Sequence, residues 1–197
     1  MKKLFRSKSF WENVAIVAVA ILLFLGLRFT IQDFAVDGQS MQNTFQNGER
    51  VLVDKLAYKF GTPQRGDVII FHPPIPSISP FIKRVIGLPG ERVEIKNGTV
   101  TVVKPDGSMI ILDEPYIRES PNYDYTSAII PPNEYFVMGD NRNDSEDSHY
   151  GWFVSRDEII GEAWLCIWPP HKWGWADNYR QSMTPTTTSG KLNYYAI

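Results

Sequence analysis

The chain has 197 residues, and its 20 lysines and arginines are nearly balanced by 22 aspartates and glutamates, for a formal net charge of -2. Without a basic excess, charge gives no reason to expect a nucleic-acid partner. A single cysteine, Cys166, lies in the apolar run EAWLCIWPP. It excludes an intramolecular disulfide and a CxxC metal or redox pair, and we expect it to fill the core.

The N-terminus joins a basic tail to a long apolar stretch. Residues 1–9 carry the basic side chains Lys2, Lys3, Arg6 and Lys8, and residues 14–27 are uncharged. A helix over residues 10–31 would rise about 33 Å, enough to cross a hydrocarbon core of about 30 Å. Trp11 and Arg28 would then lie at the two interfaces. The sequence therefore predicts one transmembrane anchor.

A cleavable signal peptide is the alternative to a retained anchor, since it also joins basic residues to an apolar segment. The segment after the apolar run, RFTIQDFAVDG, offers only Ala35 beside bulky or charged neighbours and no small-x-small cleavage site. We therefore favour the anchor. The basic residues then predict that the tail, residues 1–9, lies in the cytoplasm and the bulk of the chain outside it.

The rest of the chain, residues 32–180, consists of short apolar runs separated by glycine and proline, of which the sequence has 14 each. Because no long stretch has a helical period, we predict a mainly β, antiparallel body. The segment ERVEIKNGTVTVVK predicts a hairpin in which Asn97 and Gly98 adopt the positive φ angles of a type I′ turn. We assign residues 91–132 to a smaller inserted β lobe and the polar residues 181–197 to a frayed tail.

One strand candidate, in the segment IKRVIGLPGE, contains a lysine among apolar residues. Strand alternation places Lys83 on the same face as Phe81 and Val85. Burial would disfavour the ammonium form and lower the pKa of the side chain, which would make a neutral amine available as a base near pH 7. The alternative is a lysine on an edge strand whose ammonium reaches water.

Residues 139–151, GDNRNDSEDSHYG, are rich in acidic and polar side chains. They do not fit a calcium loop of the EF-hand type. Counted from Asp140, Arg142 occupies a ligand position and Ser145 occupies the position that requires glycine. A solvated turn is the alternative to a functional loop.

Four segments, VDGQSMQNTF, RGDVIIF, KRVIGLPGE and GDNRNDSEDSHYG, follow the predicted anchor in this order. Together they resemble the type I signal peptidases, membrane-bound serine proteases that remove signal peptides. The resemblance extends over about residues 14–165. It implies a mainly β catalytic body with an extended substrate groove, and it implies that no metal or other cofactor is used.

The resemblance also implies roles for individual residues. By position, Ser40 matches the nucleophile of the family and Lys83 matches its general base. Ser145 matches the serine that hydrogen-bonds and orients this lysine, while Asp147 and Arg84 match residues that shape the site. The implied chemistry is attack of the serine hydroxyl on the scissile carbonyl as the neutral lysine takes its proton.

Among the departures from the family pattern, three bear on the site. Gly38 stands two residues before Ser40, where part of the family has a serine hydroxyl as a second oxyanion donor. Asn43 replaces the usual proline, and His149 replaces the common arginine after Asp-Ser. The first change leaves the second donor open, and the others predict a less rigid turn and a pH-dependent ion pair.

The resemblance implies a single-pass serine endopeptidase of the cell membrane with its catalytic domain outside the cytoplasm. Its expected partners are the lipid bilayer and secretory preproteins, cut after small residues at positions -3 and -1. Two alternatives remain. A specialised peptidase on the same scaffold would process few substrates, which Asn43 and His149 allow, and a non-catalytic anchored β module would bind exported chains without cutting them.

Overall fold

The structure of the protein is a computed structural model that describes residues 8–180. Most of the predicted cytoplasmic tail, residues 1–7, and all of the predicted polar tail, residues 181–197, lie outside the described residues. The described chain consists of one long N-terminal helix followed by two antiparallel sheets. The predicted fold class, a mainly β antiparallel body behind an apolar helix, is confirmed.

Helix α1, Lys8–Thr30, has 23 residues and therefore rises about 35 Å. It is long and apolar enough to cross a membrane from Phe10 to Thr30, and none of the side chains described in this span is buried by the rest of the protein. The predicted anchor extended to Ile31, which instead begins strand β1. The helix thus passes into the sheet without an intervening loop.

The larger sheet has eight strands in the order β1-β2-β11-β3-β4-β9-β10, with β12 paired to β11. All of its pairings are antiparallel. A short helix, α2 (Ala57–Phe60), joins β2 to β3. The strands are β1 (Ile31–Ala35), β2 (Arg50–Asp54), β3 (Val68–Phe71), β4 (Phe81–Gly87), β9 (Glu134–Met138), β10 (Val154–Ser155), β11 (Ile159–Trp168) and β12 (Gly174–Trp175).

The smaller sheet has four strands in the order β7-β6-β5-β8 and falls within the predicted lobe, residues 91–132. Its strands are β5 (Arg92–Lys96), β6 (Thr99–Val103), β7 (Met109–Ile111) and β8 (Tyr125–Thr126). The predicted hairpin joins β5 to β6, and its turn residues Asn97 and Gly98 have φ angles of 50° and 75°. Both angles are positive, as a type I′ turn requires, so this prediction is confirmed.

Buried apolar residues cover both faces of the larger sheet at β3. Val68 and Ile70 pack into one buried cluster, whereas Ile69 and Phe71 pack into another. Because successive side chains of a strand point to opposite faces, this strand is apolar without alternation. Cys166 is 6% exposed and belongs to the first cluster, as predicted.

A glycine in β11 is required by the close approach of β2. A Cβ atom added at Gly161 would lie 2.4 Å from the carbonyl oxygen of Asp54. We therefore expect Gly161→Ala to lower the free energy of unfolding by about 1–3 kcal/mol, since a backbone must shift to admit the methyl group. Urea denaturation in detergent micelles measures this loss. Gly174→Ala is the matched control because its nearest neighbour would lie 3.9 Å away, and an equal loss in both variants would contradict the prediction.

Candidate active site

Ser40 lies in the turn formed by residues 36–45, between β1 and β2. Three apolar side chains of this turn, those of Val36, Met41 and Phe45, are at most 3% exposed and belong to the core. The Phe45 N–H also donates a hydrogen bond of 2.8 Å to the Met41 carbonyl. The apolar residues thus anchor the turn, while Ser40 stays partly exposed between them.

Lys83 is the third residue of β4, a central strand between β3 and β9. Its side chain is only 4% exposed, and its Nζ lies 5.1 Å from the centroid of the Phe81 ring. Nζ donates a hydrogen bond of 2.5 Å to Ser40 Oγ. The alternative of an edge-strand lysine that reaches water is therefore wrong. The structure brings the predicted nucleophile and the predicted base into direct contact.

Burial lowers the pKa of Lys83 from 10.5 to about 8. Removal of the ammonium from water is the largest cause, and the carboxylates of Asp147, Asp140 and Glu146 partly offset it by raising the pKa. Desolvation outweighs all three carboxylates. Near pH 8 about half of the molecules therefore carry a neutral amine that can accept a proton.

The acidic loop, residues 139–151, packs directly against the nucleophile turn. The Asn141 N–H donates a hydrogen bond of 2.9 Å to the Ser40 carbonyl. Within the loop, Asp147 is fully buried and accepts a hydrogen bond of 2.9 Å from the Gly139 N–H. The loop is therefore an ordered part of the site, and the alternative of a solvated turn is wrong.

His149 provides the side-chain partner of Asp147. Its Nδ1 lies 2.7 Å from Asp147 Oδ1, and its ring stacks on that of Tyr123 with the centroids 4.5 Å apart. The family's arginine would carry a permanent charge at this position, whereas a histidine is charged only when protonated. The pH dependence of this pair stays a prediction.

Ser145 does not form the predicted hydrogen bond with Lys83 in this structure. Its side chain is 8% exposed, and its Oγ has no hydrogen-bond partner in the described part of the chain. The hydrogen bond that Lys83 Nζ does form runs to Ser40 Oγ. A Cβ atom at Gly139 would lie 2.2 Å from Ser145 Oγ and 2.4 Å from the Ser40 carbonyl oxygen. Gly139 thus lies between the buried Ser145 hydroxyl and the nucleophile turn.

Arg84 lies on the opposite face of β4 from the lysine and is fully buried. Its Nε and Nη2 donate hydrogen bonds of 2.9 and 2.7 Å to the two carboxylate oxygens of Asp140. Its Nη1 donates to the carbonyls of Gly66 and Asp177, both at 2.8 Å. Asp140 also accepts a hydrogen bond of 2.5 Å from Thr44 Oγ1. The Arg84–Asp140 pair therefore joins the nucleophile turn to the acidic loop.

Gly38 precedes the nucleophile with a φ angle of 95°, a conformation that side chains disfavour. Its N–H donates a hydrogen bond of 2.9 Å to Asn47 Oδ1 and is thus occupied. A Cβ atom at this position would meet nothing within 4 Å. The Ser40 N–H donates to no group within residues 8–180. Of these two amides, only that of Ser40 is available to a ligand.

A cleft of about 320 Å³ lies over the Ser40 and Lys83 side chains. Apolar side chains form part of its lining, namely those of Phe34, Pro80, Phe81 and Ile82. Apart from Lys83, the charged side chains of its lining are acidic, namely those of Asp37, Asp144 and Glu146. The cleft thus gives a ligand access to both the Ser40 and the Lys83 side chains.

Asp140, Thr44 and Tyr116 had no role in the sequence-based prediction of the site. Thr44 and Asp140 are 96 positions apart in the chain, and only the folded sheet brings them together. Tyr116, from the smaller lobe, covers the Arg84 guanidinium with its ring centroid 4.2 Å from Cζ. The acidic segment was a signal for Asp140, but no sequence pattern indicated its partners.

Comparisons with known proteins place the chain among the signal peptidases. A family model described as signal peptidase, peptidase S26, matches residues 10–168. The probable signal peptidase I-1 of Synechocystis sp. is 42% identical over 171 residues, which cover 83% of this chain and 85% of that protein. Signal peptidase IB of Staphylococcus aureus is 34% identical over 181 residues, which cover 82% of this chain and 91% of that protein.

Among solved structures, a crystal structure of a signal peptidase I from Enterococcus faecalis is 34% identical in sequence. It has a TM-score of 0.44 and covers 51% of this chain and 95% of that chain. The range matched by the family model, residues 10–168, includes Ser40, Lys83 and the acidic loop, and it ends before residues 176–180.

Proposed function

Because the chain belongs to the signal peptidase family, peptidase S26, we propose that Ser40 is the nucleophile and Lys83 the general base of its activity. The protein is a membrane-anchored serine peptidase that removes signal peptides. The observation that carries the assignment of the pair is the 2.5 Å contact between Lys83 Nζ and Ser40 Oγ. A buried amine within hydrogen-bond reach of a hydroxyl meets the geometric requirement for a general base.

The reaction then proceeds in two half-steps. Neutral Lys83 takes the hydroxyl proton as Ser40 Oγ attacks the scissile carbonyl, and the resulting ammonium gives this proton to the leaving amine. An acyl-enzyme ester remains on Ser40. The same amine then takes a proton from water as the water oxygen attacks the ester, and it returns the proton to Ser40 Oγ as the signal peptide leaves with a new C-terminal carboxyl group.

The oxyanion of each tetrahedral intermediate requires hydrogen-bond donors. We assign this role to the Ser40 N–H, and its lack of another acceptor in the described chain supports the assignment. Gly38 supplies no hydroxyl, and its own N–H is bound to Asn47. A second donor, which part of the family has as a serine side chain, would therefore come from water or from a backbone rearrangement.

The remaining site residues have supporting roles in this proposal. Asp147 keeps the acidic loop ordered, and its charge stabilises the ammonium that forms at Lys83. Arg84 holds Asp140 against the nucleophile turn. The Ser145 hydroxyl, buried without a partner in the described residues, is available to accept a hydrogen bond from the ammonium during the reaction.

The position of the site relative to the bilayer supports exported preproteins as substrates. Ser40 follows the end of α1 at Thr30 by ten residues, which span at most about 36 Å when fully extended. The basic tail, residues 1–9, favours the cytoplasmic side, so we place the catalytic domain outside the cytoplasm. A translocated signal peptide would present its cleavage site, with small residues at -3 and -1, near this surface.

The direct test is cleavage of a panel of preproteins by the full chain in detergent, with the new N-termini identified by mass spectrometry. We expect cleavage after small residues at -3 and -1 in most members of the panel. Cleavage of one preprotein among many would favour a specialised peptidase. Binding of signal peptides without any cleavage would contradict the proposed catalytic pair and favour a binding module.

The pH dependence of cleavage gives an independent test of the base. Lys83 acts only when neutral, and its pKa is about 8. Because protonation removes the base, we expect kcat/KM to fall by about tenfold per pH unit below this value and to level off above it. A profile measured from pH 5 to pH 10 on a single preprotein checks this. A rate that is flat down to pH 6 would contradict Lys83 as the base.

A further inference from the structure

The last described residues, 176–180, cross behind the catalytic pair, and we call them the C-terminal strap. Hydrogen bonds and ion pairs of its side chains, as well as contacts of its backbone, hold the strap against the larger sheet. Asn178 Oδ1 accepts a hydrogen bond of 2.9 Å from the Val68 N–H, and Asn178 Nδ2 donates one of 2.6 Å to Glu162. Arg180 pairs with Glu162 at 2.7 Å and also with the fully buried Asp67.

The strap backbone passes so close to the turn before β3 that only a glycine fits beneath it. A Cβ atom at Gly66 would lie 2.8 Å from the carbonyl carbon and oxygen of Tyr179. Gly66 also has a φ angle of 95°, which favours glycine. The strap is thus a packed part of the domain, although it lies beyond the residues that the family model matches.

The strap contacts Arg84 on two sides. The Asp177 carbonyl accepts a hydrogen bond of 2.8 Å from Arg84 Nη1. The Tyr179 ring lies 5.3 Å from Arg84 Cζ and packs on the Tyr116 ring, with the two centroids 5.1 Å apart. The guanidinium is therefore enclosed by two aromatic rings while its other nitrogens face Asp140. Aromatic faces attract a guanidinium, which strengthens this placement.

The other buried guanidinium nearby does not compete with Arg84 for Asp140. Arg142 is paired with Glu114 through hydrogen bonds of 2.6 and 2.8 Å. Arg84 is therefore the cation that neutralises Asp140. If Arg84 were displaced, Asp140 would lose this partner, and the hydrogen bond from Thr44 would be its remaining link to the nucleophile turn.

We propose that the Asp177 carbonyl and the Tyr179 side chain are positioning groups for catalysis, which hold Arg84 on Asp140 and thereby hold the turn that carries Ser40. This inference rests on the proposed roles of Ser40 and Lys83. Neither group touches the reacting atoms. The strap acts through Arg84, whose pairing fixes the acidic loop and the nucleophile turn at their shared carboxylate.

The Asp140 carboxylate of this pair also acts on the base. The Asp140 carboxylate is one of the groups that raise the pKa of Lys83, together with Asp147 and Glu146. A closely held Arg84 offsets the charge of Asp140. Loosening the strap therefore has two consequences, a less well positioned Ser40 and a lysine that stays protonated to higher pH.

The test replaces the aromatic ring that faces Arg84. Tyr179→Leu keeps an apolar side chain of similar reach but loses the aromatic face, and Tyr179→Phe is the matched control that keeps the ring. For Tyr179→Leu we expect kcat per folded molecule to fall by about tenfold to a hundredfold with little change in KM. The acid limb of the kcat/KM profile should also move to higher pH, by up to about one unit. Tyr179→Phe should retain more of the wild-type kcat than Tyr179→Leu and should move the acid limb less.

The folded fraction is measured by tryptophan fluorescence during urea titration, so that a loss of stability is not mistaken for a loss of rate. Unchanged values for Tyr179→Leu would overturn the proposal, and so would an unmoved acid limb, because instability alone gives no reason for it to move. The failure of the proposed function is distinguishable, since it would appear as a lack of cleavage by the wild type itself.

Discussion

Replacement of Ser40 by alanine, or of Lys83 by methionine, is expected to reduce preprotein cleavage by about a thousandfold or more. The first change removes the atom that forms the acyl-enzyme. The second removes the only group within hydrogen-bond distance of that atom among the described side chains that can take its proton, at 2.5 Å from Oγ. Because the two groups act in one step, the double variant should be no slower than either single variant.

These losses should leave the fold intact. Methionine approximates the length of the lysine side chain without its charge, and Lys83 lies 4% exposed in a central strand. Burial disfavours the ammonium form, which lowers the lysine pKa to about 8. Below that pH the wild type carries a buried ammonium, which lowers its free energy of unfolding. We therefore expect Lys83→Met to be at least as stable as the wild type at pH 6 in urea denaturation.

The measurement is the initial rate on one preprotein, normalised to folded enzyme, with each variant purified beside the wild type. Substantial cleavage by Ser40→Ala would contradict the assignment of the nucleophile. Cleavage by Lys83→Met at more than about a hundredth of the wild-type rate would mean that another group accepts the proton. Lys83→Arg extends the test, because a guanidinium stays protonated throughout the range and should also be inactive.

The β architecture could be predicted because its signals are local. The turn at Asn97 and Gly98 requires positive φ angles, and those two residue types tolerate them. The apolar run of β3 is typical of a strand, but it does not indicate where the strand lies in the sheet. The spacing of apolar residues alone does not distinguish burial on one face from burial on both. Its position between β11 and β4 depends on pairings with distant segments.

The candidate site was predictable only in part. Strand alternation placed Lys83 on an apolar face, but its partner is 43 positions away, and only the family resemblance linked it to Ser40. The hydrogen bond expected between Ser145 and Lys83 is not formed, and the lysine amine instead donates to the serine of the nucleophile turn. The direction of a buried side chain depends on its packing against residues that are distant in the sequence.

The residues behind the pair had only a weak sequence signal. Asp140 belongs to an acidic segment that also fits a solvated turn, and the strap residue Tyr179 lies near a polar tail. Their role depends on burial. The Arg84 guanidinium and the Asp140 carboxylate are both fully enclosed, and buried charges of this kind are stable only when they are paired. Burial of a charged pair is a property of the assembled fold, not of either segment.

That enclosure makes Arg84→Met the substitution with the largest expected effect on stability. The side chains of Arg84 and Asp140 are both 0% exposed and lie 2.7 Å apart. Loss of the guanidinium leaves the carboxylate buried without its cation and frees two backbone carbonyls, those of Gly66 and Asp177. We expect the free energy of unfolding to fall by about 3–5 kcal/mol, the usual cost of breaking a buried ion pair from one side.

The matched control is Arg50→Met, which removes an arginine from the pair with Asp33. These two side chains are 54% and 36% exposed, so water replaces the lost partner and the expected cost is below about 1 kcal/mol. Urea denaturation in detergent at pH 8, followed by tryptophan fluorescence, compares both variants with the wild type. Equal losses in the two variants would show that the enclosed pair has no special contribution.

A double variant separates the charge from the packing. Arg84→Met combined with Asp140→Asn leaves no unpaired charge, so its stability should exceed that of Arg84→Met alone, whereas independent effects would add and make it lower. The asparagine can still accept the hydrogen bond from Thr44 Oγ1, which joins the nucleophile turn to the acidic loop at 2.5 Å. Recovery of stability in the double variant without recovery of cleavage would then assign to the guanidinium a positioning role separate from its contribution to folding.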